Sequence, residues 1–178
     1  MWQLTNYYHQ KLGSGLGLNG ILTWRMTTDS SVFITDGDTD ALALLRQNIE
    51  RNRPLNEDED NMEICCNQLI WGKESSTDFL EHKSKGKRFD VLIASDIIYA
   101  ECIIEPLWQT VDILLSREGG IFVMAFARRK VPVSKEHVLE SADKAGFQYE
   151  LVREDTDEGI WIYIFRYKDK EDSKLCVN

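Results

Sequence analysis

Apolar runs of strand length alternate with amphipathic stretches of helix length along most of this chain, and the last two strand-like runs are separated only by the acidic turn Asp155 to Glu158. The runs "SSVFITD", "MEICCNQLIWG", "FDVLIASD" and "GGIFVMAFA" read as strands, and the third is apolar almost throughout, as the middle of a parallel sheet requires. Between them, "LNGILTWRM" reads as a short helix. "TDALALLRQNIERN" follows as a longer one, with Asp38 or Thr39 as its cap and Leu42, Leu45 and Ile49 as its apolar stripe. "KESSTDFLEHKSKGKR" reads as a short polar helix and a loop. "IIEPLWQTVDILLS" is a helix in which Pro106 is tolerable only near the first turn. "SKEHVLESADKAGF" is another, capped by Ser134 and stopped at Gly146. Such alternation indicates an α/β domain with a mostly parallel sheet. The short final connection forces an antiparallel C-terminal β-hairpin, because a parallel crossover needs a dozen or more residues.

The 178 residues carry a formal net charge of -9. That balance argues against nucleic acid as the main partner, because a phosphate backbone needs a basic surface. It suits a basic protein partner, and equally it keeps the chain soluble. The reading is a single domain over 1–168 with a charged tail over 169–178, and a monomer is the expected state. No run is long and apolar enough for a membrane span, and Met1 to Leu12 lacks the basic start and apolar middle of a secretory signal. Cys65, Cys66, Cys102 and Cys176 form no CxxC pair and no metal-ligand spacing with His9, His82 or His137. They read as reduced thiols of a cytosolic or nuclear protein. The adjacent Cys65 and Cys66 point to opposite faces of their strand, and "RPLNEDEDN" reads as a solvated acidic loop.

Ligands of open α/β sheets bind outside the carboxyl ends of the strands, so the segments that end strands carry the functional signal. The first is "KLGSGLGLNG". Gly13, Gly15 and Gly17 are spaced two apart, and Gly15, Gly17 and Gly20 spell GxGxxG. Glycine permits a tight turn and a close backbone approach to a ligand, while the following helix offers unpaired N–H groups. A flexible turn is the plain alternative. Asp36 ends the next strand about twenty residues on, where a carboxylate can accept both hydroxyls of a ribose. Its alternative is a helix cap, a role Asp38 could fill instead. Trp71 follows a strand and precedes Gly72, placing an indole beside an adenine site or in the core. Asp96 directly follows a buried strand, with Tyr99 three residues on. Together they set a carboxylate and a phenol at one opening, unless Asp96 caps a helix.

Taken together, "GSGLGLNGI", "TDGDTDALALLRQNI", "NQLIWG", "FDVLIASDIIYAECIIEPLWQTVDILL" and "GGIFVMAFARR" resemble the family-16 protein-lysine methyltransferases, seven-β-strand enzymes that include the methyltransferase-21-like proteins. The Asp96-Ile97-Ile98-Tyr99 element and the Leu69 to Gly72 turn carry most of the likeness. The resemblance implies a class I S-adenosylmethionine-dependent methyltransferase fold, Rossmann-like, with six parallel strands and one antiparallel strand. It implies S-adenosyl-L-methionine as cofactor and a protein substrate bearing the target lysine. Gly13, Gly15 and Gly17 would pass beneath the methionine and ribose part of the cofactor. Asp36 would hold the ribose, Trp71 would flank the adenine, and Ser95 would present backbone to the amino-acid end. Asp96 and Tyr99 would line the lysine entrance, with Asp96 capturing and orienting the charged amine before it loses its proton to water.

Two departures accompany the match. The family enters its glycine loop from an apolar strand ending in an acidic residue, whereas this chain has Lys11 there and a polar "TNYYHQ" before it, a poor central strand. The family also carries a longer N-terminal segment over the cofactor. The expectation is a form whose support is cut away or replaced, as by an alternative transcript or a mispredicted first exon, and whose cofactor binding is weakened. Other readings stay open: an inactive variant serving as a binding module, a small-molecule methyltransferase, and a nicotinamide-dependent oxidoreductase using Gly15, Gly17, Gly20 and Asp36.

Overall fold

The computed structural model describes residues 7–27, 30–53, 63–129 and 133–169. The acidic loop read above, apart from Arg53, and most of the charged tail lie outside the described residues. Among the described residues, seven strands and five α-helices follow in the order β1 (Tyr8–Leu12), α1 (Leu18–Met26), β2 (Ser31–Asp36), α2 (Thr39–Arg51), β3 (Ile64–Gln68), α3 (Lys73–His82), β4 (Val91–Ser95), α4 (Ile104–Leu114), β5 (Ile121–Ala127), α5 (Lys135–Lys144), β6 (Phe147–Asp155) and β7 (Ile160–Tyr167).

The strands make one sheet in the order β3-β2-β1-β4-β5-β7-β6. β1 pairs in parallel with β2 and β4, β2 with β3, and β4 with β5. β7 runs antiparallel to both β5 and β6. The expected hairpin is therefore present, with its second strand inserted between β5 and the first. The strand order reverses between β1 and β4, so the crevice of such a sheet opens at their carboxyl ends.

Two apolar layers hold this sheet. On one face Leu12, Phe33, Phe89, Leu92, Trp108, Phe122 and Phe165 pack under α3, α4 and α5. On the other Ile21, Trp24, Val32, Ile34, Leu42, Leu45 and Ile49 pack under α1 and α2. Each fully buried Leu or Phe contributes about 1.5–3 kcal/mol against leaving it in water. Cys65 packs against the first layer and Cys66 against the second, as adjacent residues of one strand must. The helix ends follow their local chemistry. The Asp38 carboxylate caps α2 by accepting the N–H groups of Asp40 at 2.7 Å and Ala41 at 3.1 Å. The Ser134 hydroxyl accepts the His137 N–H at 3.1 Å. Pro106 sits in the first turn of α4, where a missing N–H costs nothing.

β1 departs from the expectation of a weak strand. His9, Gln10, Lys11 and Leu12 are all buried between the two neighbouring strands. Distant groups receive part of this polarity, while both His9 ring nitrogens and Gln10 Oε1 are buried without a partner among the described residues. Gln10 Nε2 donates to Thr35 Oγ1 at 3.4 Å, and the Tyr8 N–H donates to the Asp90 carboxylate at 2.9 Å. Pairing on both edges, rather than an apolar pattern, makes this segment the middle of the sheet.

Candidate active site

The turn leaving β1 is an ordered structure. The Ser14 N–H donates to the Thr35 carbonyl at 2.9 Å, the Ser14 hydroxyl to the Lys11 carbonyl at 3.0 Å, and the Gly17 N–H to the Ser14 carbonyl at 2.9 Å. Gly13 is required by crowding: a Cβ there would lie 2.8 Å from Ile97 Cγ2 and 3.3 Å from Trp71 Cζ2. The next strand end locks onto the turn. Asp36 Oδ2 accepts the Gly15 N–H at 2.7 Å, while Oδ1 accepts the Asp38 N–H at 3.0 Å. Asp38, not Asp36, caps α2, which leaves the remaining lone pairs of Asp36 free for a ligand.

Beyond β3 the chain turns sharply. The Leu69 N–H donates to the Asp36 carbonyl at 3.0 Å, and the Gly72 N–H donates to Thr110 Oγ1 at 2.9 Å. Those two anchors bury Leu69 and hold the Trp71 indole half-buried, partly against the main core and partly against the crevice. Trp71 therefore packs on the core and also borders the crevice.

Asp96 leaves β4 with its N–H on the Ala125 carbonyl at 2.9 Å and its backbone in the left-handed region, at φ 53. Few residues other than glycine adopt that conformation, and aspartate is among those that do. It caps no helix, since the short 3-10 turn Glu101–Ile103 starts from Ala100. Its carboxylate instead receives the fork of Arg129: Nε donates to Oδ1 at 2.6 Å and Nη2 contacts Oδ2. The same guanidinium lies 5.3 Å from the centre of the Tyr99 ring.

A cavity of about 480 Å³ opens at this edge of the sheet. Gly13, Gly15, Asp36, Trp71, Asp96 and Tyr99 border it, and Leu69, Ile70, Ile97 and Ile103 supply an apolar wall. Six residues of the eight singled out from sequence thus converge. Gly17 and Ser95 do not border the cavity. Gly17 is buried beneath α1 at φ +93, where a Cβ would lie 2.2 Å from Leu45 Cδ1, so packing of α1 on α2 explains it. The Ser95 hydroxyl accepts from Asn19 Nδ2 at 2.8 Å and ties α1 to the end of β4.

Lys11 stands below the turn, 3% exposed. Its Nζ donates to the Leu12 carbonyl at 2.7 Å and the Gly13 carbonyl at 3.3 Å. Burial pushes its pKa down to about 8, against the pull of the Asp36 carboxylate. Sequence reading assigned no role to Arg129. The available signal was position, because it stands just beyond the end of β5 on the same edge as the other site residues. Among the described residues no cluster of His, Cys, Asp and Glu could hold a metal ion, and no helix is long and apolar enough to cross a membrane.

A sheet with this strand order and a single inserted antiparallel strand, with glycine turn, acidic strand end and crevice at its switch point, is the class I S-adenosylmethionine-dependent methyltransferase fold. A TehB-like SAM-dependent methyltransferase from Corynebacterium glutamicum superposes with a TM-score of 0.64 at 18% identity, over 92% of this chain and 82% of that one. The chain belongs to the lysine methyltransferase family, whose profile matches residues 7–144. The protein-lysine N-methyltransferase EFM3 of Chaetomium thermophilum is 26% identical over 137 residues, covering 77% of this chain and 40% of that protein. Mouse protein N-lysine methyltransferase METTL21A is 29% identical over 153 residues, covering 86% and 63%. The chain spans about half the length of the curated relatives it matches.

Proposed function

We propose that this protein transfers a methyl group from S-adenosylmethionine to the side-chain amine of a lysine in a protein substrate. One observation carries the reading: a single cavity is bordered both by Gly13, Gly15, Asp36 and Trp71 and by Asp96 and Tyr99. The nucleoside end of the donor suits the first group. Asp36 keeps lone pairs for two ribose hydroxyls after serving Gly15 and Asp38. Trp71, Leu69 and Ile70 offer apolar surface for an adenine, and Gly13 lets the backbone come close. The amino-acid end suits the site less well, because the buried Lys11 replaces a carboxylate with a cation beneath the turn.

The bound donor supplies a methyl group already activated on a sulfonium, so no protein nucleophile is needed. What the protein must provide is alignment and a neutral amine. A free lysine has a pKa near 10.4, so at pH 7 about one in a few thousand is neutral. Ile97 and Ile103 line the cavity with hydrocarbon, which disfavours the ammonium form. Asp96 accepts a hydrogen bond from the amine and fixes its direction, and Tyr99 closes one side of the slot. The amine's proton leaves to water. All of these groups come from one chain, so a monomer suffices.

Isothermal titration with S-adenosylmethionine, followed by transfer of its radiolabelled methyl group to proteins of a cell lysate and acid hydrolysis, tests the proposal. Measurable heat and labelled methyl-lysine are expected. Absence of heat would instead make this form a non-catalytic member of its family. Heat with label in other products would overturn lysine as the acceptor.

A further inference from the structure

We infer that Arg129 is a positioning residue for the acceptor: it neutralises Asp96 from outside the cavity, so that Asp96 orients the lysine amine without holding it protonated. The inference rests on the reading of Asp96 as the acceptor-side group and adds the residue that makes that role workable.

A lone carboxylate at the acceptor end works against methyl transfer. An opposite charge within hydrogen-bond range favours an ammonium by about one to three pKa units. Each unit removes nine-tenths of the remaining neutral, reactive amine. The geometry around Asp96 answers this conflict. Arg129 engages both carboxylate oxygens in the fork arrangement. A guanidinium supplies the compensating positive charge. The pair is therefore a neutral acceptor whose oxygens each keep a lone pair. Arg129 does not border the cavity, whereas Asp96 and Tyr99 do. An entering amine thus meets the carboxylate on its free side, with no need to displace the guanidinium.

Two further contacts fix the unit. The guanidinium lies 5.3 Å from the Tyr99 ring centre, and the Asp96 backbone is held on Ala125 in a conformation that sets the direction of its side chain. Stability is not a sufficient reason for the pair. The side chains are 45% and 34% exposed, and ion pairs so exposed contribute little to folding. Removing Arg129 should consequently leave the protein folded.

The test uses n-butylamine as a lysine side-chain probe, titrated at pH 7 with ligand-observed NMR, where it is an ammonium. Arg129→Gln should bind it about tenfold more tightly than the unaltered chain, one pKa unit's worth of attraction. The double variant Arg129→Gln, Asp96→Asn should lose that gain. Arg129→Lys, which keeps the charge but not the fork, should stay close to the unaltered chain. Equal affinity in the chain and Arg129→Gln, or a gain that survives in the double variant, overturns the inference.

A second arm measures methyl transfer against pH. Arg129→Gln should be about tenfold slower at pH 7 and recover most of its rate about one to two pH units higher, as the amine deprotonates. A loss that is the same at every pH overturns the inference. If the unaltered chain transfers no methyl group at all, the proposed function fails, and the n-butylamine titration still decides the role of Arg129.

Discussion

The Asp36 carboxylate accepts the backbone N–H of Gly15 at 2.7 Å, tying the end of β2 to the turn that leaves β1. One side chain thereby shapes the turn and keeps spare acceptors, which the proposed function assigns to a ribose. Asp36→Ala should lower affinity for S-adenosylmethionine at least tenfold in calorimetry. It should also cost about 1–2 kcal/mol in urea denaturation, because the Gly15 and Asp38 N–H groups lose a charged acceptor. Asp36→Asn should keep most of the stability and little of the affinity.

Gly17 should behave differently although it belongs to the same motif. A methyl group there meets Leu45 and the left-handed backbone strains any other residue. Gly17→Ala is expected to destabilise the fold by about 2–4 kcal/mol. Folded protein that remains at low temperature should bind the cofactor almost as before. Comparing denaturation midpoints with calorimetric affinity separates the two effects.

Lys11 makes stability depend on alkaline pH in a defined direction. Its pKa is about 8 in the folded protein and near 10.4 in an unfolded chain. Between those values the unfolded state binds more protons, so this group's contribution to stability rises with pH. Below about pH 8 the full cost of holding a buried ammonium is present, on the order of 3 kcal/mol. Lys11→Met should therefore be more stable than the parent chain at pH 7, and the gap should close between pH 8 and pH 10. The difference curve is the readout, because Cys65 and Tyr167, whose pKa values burial pushes up to about 11 and about 12, titrate alike in both proteins.

Asp96→Ala should abolish methyl transfer, with a fall of at least about a hundredfold. Affinity for S-adenosylmethionine should change less than about threefold, since the proposed function assigns the donor to Gly13, Gly15, Asp36 and Trp71 rather than to Asp96. Parallel calorimetry and methyl counting would expose an equal loss of both, which would contradict this division of labour.

Much of this architecture is legible one segment at a time. β2, β4 and β5 announce themselves as apolar runs, α2 carries its cap at Asp38, and the acidic turn after β6 forces the hairpin. The strand-end rule also finds Asp36, Trp71, Asp96 and Tyr99, because it needs only the positions where strands stop. β1 escapes such reading. Gln10 Nε2 finds Thr35 and the Tyr8 N–H finds Asp90, partners that no local pattern names. Gly17 looks like Gly13 and Gly15 in sequence, and only the approach of Leu45 tells them apart. Arg129 meets Asp96 across the end of the sheet, and its place just beyond β5 puts it on the right edge without naming its partner.

The sheet order has a final consequence. Asp36 and Trp71 follow strands on one flank of β1, while Asp96 and Arg129 follow strands on the other. On the proposed function, Tyr8–Leu12 would be the seam between a donor-carrying half-sheet and an acceptor-carrying half-sheet. A change confined to that seam could leave both halves able to grip their molecules, yet spoil the in-line meeting of nitrogen and carbon by a fraction of an ångström.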